Sequence, residues 1–227
     1  KFTLNELVGR SELGAVYKAQ TSSGTAVAVK VLHSDLDPTL ARALLGNSKA
    51  VSQLRNQRIA RVLGAKYSRT EDTFIVTEWL AGKNLANVIL DSGALGPLRA
   101  ANLIIQICSA LSSLHSQNIP HANLKPTNVF LDQRQGVDAV TIVDAVGSGV
   151  LGYQESGEFI GITKHLAPEQ LQGLSASIGV DFFNLGVLAY FLVTGSYPFA
   201  APTPSQTADR IKSGQYRSLL DVKPNID

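Results

Sequence analysis

Residues 121–128 of the chain read His-Ala-Asn-Leu-Lys-Pro-Thr-Asn. This segment brings a Lys and two Asn side chains close together in the sequence, and it contains neither Asp nor Glu. An amide such as that of Asn123 cannot accept a proton near pH 7, whereas a carboxylate can. A reaction at this segment that requires a general base would therefore lack one at position 123.

Upstream of this segment, the spacing of apolar residues predicts a strand-rich first part of the chain. Residues 3–31 alternate apolar and polar side chains around glycines, a pattern typical of short antiparallel strands joined by tight turns. Apolar residues then recur at helical spacing over residues 40–54, and residues 74–77 predict another strand. These elements indicate a small antiparallel sheet with one main helix across it.

Beyond Gly82 the apolar pattern becomes helical. Residues 103–114 form an amphipathic pattern, and residues 180–194 are apolar nearly all round, so the second of these helices must be buried. The boundary between the two parts lies near Gly82. The sequence therefore predicts an α+β chain of two lobes, with residues 1–81 in the small lobe and residues 82–227 in a mainly helical lobe.

The composition limits the class of protein. The 227 residues are 44% hydrophobic and 17% charged, with a formal net charge of +2, which predicts a globular chain without general affinity for nucleic acid or anionic lipid. No apolar run is long enough to span a bilayer, and the first residues lack the features of a secretory signal. We therefore expect a cytoplasmic domain that does not itself insert into a membrane. Because the chain contains no Met, we expect it to be a piece of a larger protein.

A single cysteine, Cys108, rules out an internal disulfide and fits a reducing cytosol. It lies among apolar residues of a predicted helix, and free cysteines are usually buried. We therefore expect Cys108 to be an inert buried thiol, with a reactive nucleophile as the alternative.

Four further segments carry patterns that are specific when they occur together in this order. They are Gly9-Arg10-Ser11-Glu12-Leu13-Gly14-Ala15-Val16, Val27-Ala28-Val29-Lys30, Ala167-Pro168-Glu169 and Asp181-Phe182-Phe183-Asn184-Leu185-Gly186. With residues 121–128 they resemble the motifs of the protein kinase family, and most closely those of bacterial Ser/Thr kinases, over essentially the whole chain. The resemblance implies a two-lobed protein-kinase-like fold with a signalling role. It also implies that the chain stops at Asp227 before the last helices of a complete kinase domain.

The resemblance assigns roles to individual residues, with ATP and Mg²⁺ as the cofactors and nucleotide binding itself left open. Asn123 stands where the family has its general base, and Lys125 would lie near the transferring phosphate. Mg²⁺ would be held by the side-chain oxygens of Asn128 and Asp144. The residues that would contact the nucleotide are Gly9, Gly14, Val16, Ala28, Lys30, Glu78, Leu80, Asn128 and Asp144.

Lys30 lacks the partner that the family provides. In active kinases a Glu on the following helix pairs with this Lys, whereas Asn47 stands at the corresponding place here. No Asp or Glu occurs between Asp37 and Glu71, so a shift of the alignment by one or two turns does not restore the pair. A Lys on an apolar strand needs an anionic partner. Lys30 would therefore be balanced by nucleotide phosphate, by Asp144 or by solvent.

These departures predict a pseudokinase that acts as a scaffold or an allosteric partner. The base is replaced at Asn123, the ion pair is lost at Asn47, and Ala145 stands where the family has a Phe that packs as an apolar wedge. One alternative is a weakly active Ser/Thr kinase that uses Lys30, Lys125, Asn128 and Asp144 without the ordinary base. Another is an interaction domain that binds no nucleotide.

Residues 38–70 form a basic strip that the family resemblance does not explain. Such runs are usually solvated surface, and the alternative is a docking surface for an acidic or phosphorylated protein partner. This stretch contains no Asp or Glu, and its cations are Arg42, Lys49, Arg55, Arg58, Arg61, Lys66 and Arg69.

Overall fold

A computed structural model describes residues 2–11, 13–68, 72–134, 136–146, 163–174 and 176–226. Within them, five antiparallel strands form the first sheet in the order β1-β2-β3-β5-β4. The strands predicted over residues 3–31 and 74–77 are confirmed, whereas β4 was not predicted. The bounds of the strands are β1 Phe2–Ser11, β2 Gly14–Thr21, β3 Ala26–Leu32, β4 Val62–Lys66 and β5 Phe74–Glu78.

The predicted helix across this sheet is confirmed as α1, Pro38–Ser52. Asp37 caps its N-terminus, because its carboxylate accepts hydrogen bonds from the backbone N–H groups of Thr39 and Leu40, both at 2.9 Å. The buried face of α1 faces β4, since these two elements pack together. That face consists of Ala41, Leu44, Ser48 and Val51.

The second lobe is mainly helical, as predicted. The amphipathic pattern corresponds to α3, Pro97–His115, and the apolar one to α4, Ile178–Thr194, of which Val180, Val187 and Leu188 are buried. A second antiparallel sheet in the order β6-β7-β8 was not predicted. The remaining elements are β6 Lys83–Asn84, α2 Leu85–Ser92, β7 Val129–Arg134, β8 Val137–Ile142, α5 Pro204–Ser213 and α6 Leu219–Val222.

The connection between α1 and β4 fixes one lobe on the other. The backbone N–H of Ile142, at the end of β8, donates to the Arg58 carbonyl at 2.8 Å, and the N–H of Ala60 donates to the Ile142 carbonyl at the same distance. One hydrophobic core runs through both lobes and includes Leu44 and Ile142. The residues that follow β8 are thereby held directly beneath α1.

The prediction for Cys108 is wrong, because its side chain is exposed. The buried face of α3 includes Ile107 and Leu111, and a helix turns 100° per residue, so the residue after Ile107 points away from the core. Apolar neighbours in the sequence therefore did not imply burial. Among the helices that the described residues form, none is long and apolar enough to cross a membrane.

Candidate functional site

Lys30 lies on the face of the first sheet that points towards the second lobe. The pairing of strands places Val16 opposite Lys30, and Ala28 opposite Thr77 on β5, so these side chains share one face of the sheet. The ammonium nitrogen of Lys30 lies 2.6 Å from Oδ1 of Asp144, and the two side chains are only 10% and 16% exposed. Of the three partners considered for Lys30, the structure pairs it with Asp144.

Asp144 also contacts the segment of residues 121–128. Its Oδ2 accepts a hydrogen bond from Nδ2 of Asn123 at 3.4 Å, and Nδ2 of Asn128 donates to the Asn123 carbonyl at 2.8 Å. The fold therefore brings together Lys30, Asn123, Asn128 and Asp144. The Asn123 side chain donates a hydrogen bond to the Asp144 carboxylate. The resemblance to protein kinases would place at this position a general base that accepts a proton.

The donor set beside Lys30 fits Mg²⁺. Asp144 supplies a carboxylate, and Asn128 uses its amide nitrogen in the bond to Asn123, which leaves its side-chain oxygen as an acceptor. Mg²⁺ is usually bound by one or two protein oxygens together with substrate phosphates and water. Asp144 and Asn128 are the residues that would hold it. No group of three or more His, Cys, Asp or Glu side chains suited to a metal occurs in the described part of the chain.

Asn47 does not contact Lys30. Its Nδ2 donates to the backbone carbonyl of Val146 at 3.1 Å, which joins α1 to the segment that follows Asp144. Ala145 and Val146 are both buried in the large core, so a valine contributes apolar bulk beside the position of the missing aromatic ring. Helix α1 is thus held to this segment by a neutral hydrogen bond and apolar packing. Asn47 does not supply Lys30 with a carboxylate from this helix.

A buried carboxylate on α4 holds the backbone of residues 121–128. Asp181 is 0% exposed, and its oxygens accept from the N–H groups of His121 at 2.8 Å and Ala122 at 2.7 Å, with Nε2 of His115 at 2.7 Å from the same carboxylate. Burial lowers the pKa of His121, so its ring is neutral. Nε2 of that ring donates to the Val143 carbonyl at 3.0 Å, which links the segment to the strand end before Asp144.

Ala122 occupies the position of an arginine in the family, and it is buried in an apolar cluster with Ala167 and Val180. Its φ is +58°, a conformation that costs an L-residue free energy and persists only where the surroundings hold it. Here Asp181 binds its N–H, and Nε2 of Gln170 donates to its carbonyl at 3.0 Å. The loop is therefore kept in its conformation by apolar and polar packing that involves no arginine.

Lys125 lies close to His165, near the Ala167-Pro168-Glu169 motif. Burial, followed by the positive charges of Lys125 and then Lys164, lowers the pKa of His165 to about 3. The His165 ring is thus neutral at physiological pH. Lys125 is half-buried in the same loop that carries Asn123 and Asn128.

The end of β5 carries Glu78 and leads to Leu80, two of the residues that would contact a nucleotide. The Glu78 side chain turns towards β4, where Oε1 accepts from the Arg61 N–H at 2.7 Å, and the Glu78 N–H donates to the Arg61 carbonyl at 3.0 Å. Leu80 is half-buried. The ammonium of Lys18 lies 5.0 Å from the centre of the Trp79 ring, which braces this connection against β2.

A family model for the protein kinase domain matches residues 2–225. The chain belongs to the protein kinase domain family. The crystal structure of Rad53 residues 1–466 in complex with AMP-PNP matches this kinase domain with a TM-score of 0.78 and 28% sequence identity, covering 95% of this chain and 54% of that one. The two-lobed α+β kinase fold expected from the sequence is thereby confirmed.

Curated relatives of this kinase domain include bacterial and yeast Ser/Thr kinases. The "Probable serine/threonine-protein kinase PknB" of Corynebacterium glutamicum is 30% identical over 216 residues, which cover 92% of this chain and 33% of that protein. RAD53 of Saccharomyces cerevisiae is 28% identical over 98% of this chain and 31% of its own length. The kinase domain thus spans about a third of the length of the relatives it matches.

Two residues that support the site of this kinase domain were not predicted. Gln170 binds the Ala122 carbonyl and also accepts from the Ala167 N–H at 2.9 Å, and His115 contacts Asp181. Gln170 follows a recognisable motif and His115 ends the predicted amphipathic helix, but neither has a sequence signal that identifies its partner. Their roles follow only from the tertiary structure.

Gly9 and Gly14, the two glycines of residues 9–16 in this kinase domain, have different structural environments. At Gly14 the φ is +153°, and a Cβ would clash with the carbonyl oxygen of Val31, so strand packing alone requires glycine there. At Gly9 a Cβ would meet nothing within 4 Å. The requirement for Gly14 therefore does not depend on a nucleotide, whereas no packing contact explains Gly9.

We expect Gly14→Ala to destabilise the domain and Gly9→Ala, as the matched control, to leave its stability nearly unchanged. Backbone strain and overpacking at position 14 should each cost about 1–3 kcal/mol, which corresponds to a fall in Tm of roughly 2–4 °C per kcal/mol. Thermal denaturation of both variants without nucleotide tests this. Equal Tm values for the two variants would contradict the packing requirement at Gly14.

Proposed function

We propose that this kinase domain is a pseudokinase, which keeps the two-lobed fold and a nucleotide site but transfers phosphate very slowly and acts as a scaffold or allosteric partner. The observation that supports it is the amide at Asn123, whose Nδ2 faces Oδ2 of Asp144 at 3.4 Å. This side chain cannot take a proton from a substrate hydroxyl. Loss of a positioned general base typically lowers the rate by about 10²- to 10⁴-fold.

The other losses point to the same function. The position that would carry a carboxylate towards Lys30 is Asn47, which instead binds the Val146 carbonyl, and Ala122 removes the arginine of the loop. In a kinase switched by phosphorylation, that arginine holds the phosphate of the activated state. A domain with a loop fixed by Asp181 and apolar packing has little means of being switched in that way. This favours a constant shape that a partner protein can recognise.

Residues suited to a nucleotide are nevertheless retained. Lys30, Asn128 and Asp144 lie together, and Lys30 is held 2.6 Å from Asp144 in a largely buried position. Bound Mg²⁺ would neutralise phosphate charge, and Asp144 and Asn128 would position it. The similar Rad53 structure contains AMP-PNP, which supports ATP as the ligand to test first. Phosphate oxygens would then compete with Asp144 for the Lys30 ammonium.

A slow Ser/Thr kinase is the second candidate, and one observation favours it. The Asp144 carboxylate lies beside the side chain that replaces the base, so a proton acceptor is present within a few ångströms of position 123. Lys30 and Lys125 would remain to balance charge on the transferring group. The same carboxylate would also have to hold Mg²⁺, and these two tasks compete.

Nucleotide binding and phosphate transfer, measured on the same preparation, separate these functions. We expect ATP with Mg²⁺, at about 100 times its Kd, to stabilise the domain by about 2.7 kcal/mol and raise its Tm by roughly 5–10 °C. Turnover of radiolabelled ATP should lie about 10²- to 10⁴-fold below the roughly 1–100 s⁻¹ of active kinases, at about 10⁻⁴ to 1 s⁻¹. Lys30→Met should remove the Tm shift, and Lys212→Met, on the exposed face of α5, should retain it.

Each outcome decides between the candidates. Turnover in the ordinary kinase range would overturn the pseudokinase proposal and favour the second candidate with Asp144 as the base. The absence of any Tm shift would leave an interaction domain that binds no nucleotide. An equal shift in the natural chain and in Lys30→Met would place the nucleotide elsewhere on the domain.

A further inference from the structure

Charge is segregated along this chain. Residues 38–68 hold six of the 20 Lys and Arg residues and no Asp or Glu, so they carry a formal charge of +6. The rest of the chain holds the other 14 cations and all 18 acids, so it carries −4. The overall value of +2 is therefore the sum of a basic segment, which runs from α1 through β4, and an acidic remainder.

Some cations of the basic strip contact other parts of the protein, and others are exposed to solvent. Nη1 of Arg58 donates to Oε1 of Gln106 on α3, so that side chain belongs to the packing between elements, whereas Arg61 contacts the Glu78 carboxylate only through its backbone N–H. Lys66 has contacts of its own, and Arg69 lies outside the described residues. The cations that remain exposed, without an ion pair to an acid in the described part of the chain, are Arg61, which precedes β4, and three residues on or just after α1, namely Arg42, Lys49 and Arg55.

The residues Arg42, Lys49 and Arg55 lie on or just after α1, and we name them the α1 basic face. Arg42 and Lys49 are seven residues apart, two helical turns, and so point in nearly the same direction, opposite to the buried Leu44 and Val51. Arg55 follows the end of the helix. The Asp37 carboxylate, the nearest acid in the sequence, is committed to capping the first turn of α1.

Two features prepare this face for a polypeptide. The Arg42 guanidinium lies 5.5 Å from the centre of the Tyr67 ring, so its planar fork of donors is held in place before any ligand arrives. The same lobe also exposes an apolar side chain, since Leu63, on the strand that packs against α1, is 44% exposed. Exposed cations that have no acid paired with them are complementary to a segment rich in carboxylates.

We infer that the α1 basic face docks an acidic, Asp- or Glu-rich segment of a partner protein. A nucleic acid fits this surface less well, because a long polyanion would extend beyond these three cations onto a remainder that carries a formal charge of −4. The inference goes beyond the proposed function and does not require nucleotide to bind, so the two can fail separately. Docking at α1 would also place the partner on the helix that Asn47 joins to the segment after Asp144.

Fluorescence anisotropy of the whole chain with labelled peptides tests this inference without ATP. The probes are a peptide of repeated Glu-Ser-Leu, the same peptide with Gln in place of Glu, and a single-stranded RNA of similar length. We expect the Glu peptide alone to bind well at low salt and to weaken steeply as salt rises, because the contacts are between exposed charges. Absence of binding by the Glu peptide at low salt, or equal or tighter binding of the RNA, would overturn the inference.

A charge-matched pair of variants locates the binding. The triple variant Arg42→Glu, Lys49→Glu and Arg55→Glu should weaken Glu-peptide binding by about tenfold or more. The control triple variant Lys212→Glu, Arg217→Glu and Lys223→Glu changes the net charge by the same amount in the second lobe and should leave the affinity within about twofold. Equal losses in the two variants would show a general charge effect and overturn the assignment to α1. Circular dichroism of both variants confirms that each is folded.

Discussion

Replacement of Asp181 by Ala is expected to lower the free energy of unfolding by about 3–5 kcal/mol, the cost of leaving partners of a buried charge unpaired. The carboxylate accepts from two backbone N–H groups and contacts His115, and it is fully buried. Ala supplies no acceptor to any of them. Because Ala122 is held at a φ of +58° partly by this carboxylate, the strain at that residue would also be released by unfolding of the loop.

Thermal denaturation without nucleotide measures this effect. At roughly 2–4 °C per kcal/mol for a domain of this size, the Tm of Asp181→Ala should fall by roughly 6–20 °C. Asp209→Ala, an exposed acid on α5, is the control and should change the Tm by no more than about 2 °C. Asp181→Asn should lie between them, since one amide oxygen still accepts while the amide nitrogen faces donors. A Tm for Asp181→Ala close to that of the control would show that the loop does not depend on this carboxylate.

The sequence predicted the main elements because their signals are local. Alternation around glycines identified β1 to β3, and helical spacing identified α1, α3 and α4. The strand β4 was missed because only Val62 of its five residues is buried, so it shows no alternation. The β6 strand has two residues and pairs with a partner more than 40 positions away, and such pairing has no local pattern.

The residues of the candidate site were predicted more fully than their contacts. A family pattern can nominate Lys30, Asn123, Asn128 and Asp144, since each stands at a motif position. The sequence left open whether nucleotide phosphate, Asp144 or solvent balances Lys30, because the position of Asp144 depends on how β8 is fixed to the connection after α1. The bond from Asn47 to Val146 joins residues 99 positions apart, and a substitution alone cannot indicate where the new side chain turns.

Asn123→Asp is expected to raise phosphate transfer by about 10²- to 10⁴-fold over the natural chain, the usual contribution of a positioned general base. The backbone of this residue is already fixed, since its N–H donates to Nδ1 of His121 at 3.3 Å and its carbonyl accepts from Asn128. Transfer of radiolabelled phosphate to a mixture of Ser/Thr peptides measures the gain. Asn102→Asp makes the same change on the exposed face of α3 and should leave the rate unchanged. If Asn123→Asp leaves transfer as slow as the control does, the losses at Asn47 and Ala145 must limit the reaction instead.

The same substitution should make the stability of the domain depend on Mg²⁺. An Asp at position 123 would place a second carboxylate beside Oδ2 of Asp144, where the Asn123 amide now donates a hydrogen bond at 3.4 Å. Two like charges about 4 Å apart repel by roughly 1–4 kcal/mol, depending on how well solvent screens them. Without metal, the Tm of Asn123→Asp should therefore fall below that of the natural chain, and added Mg²⁺ should recover most of the loss by binding both carboxylates. A variant that is as stable as the natural chain without metal, and unaffected by Mg²⁺, would place the two side chains too far apart to share an ion.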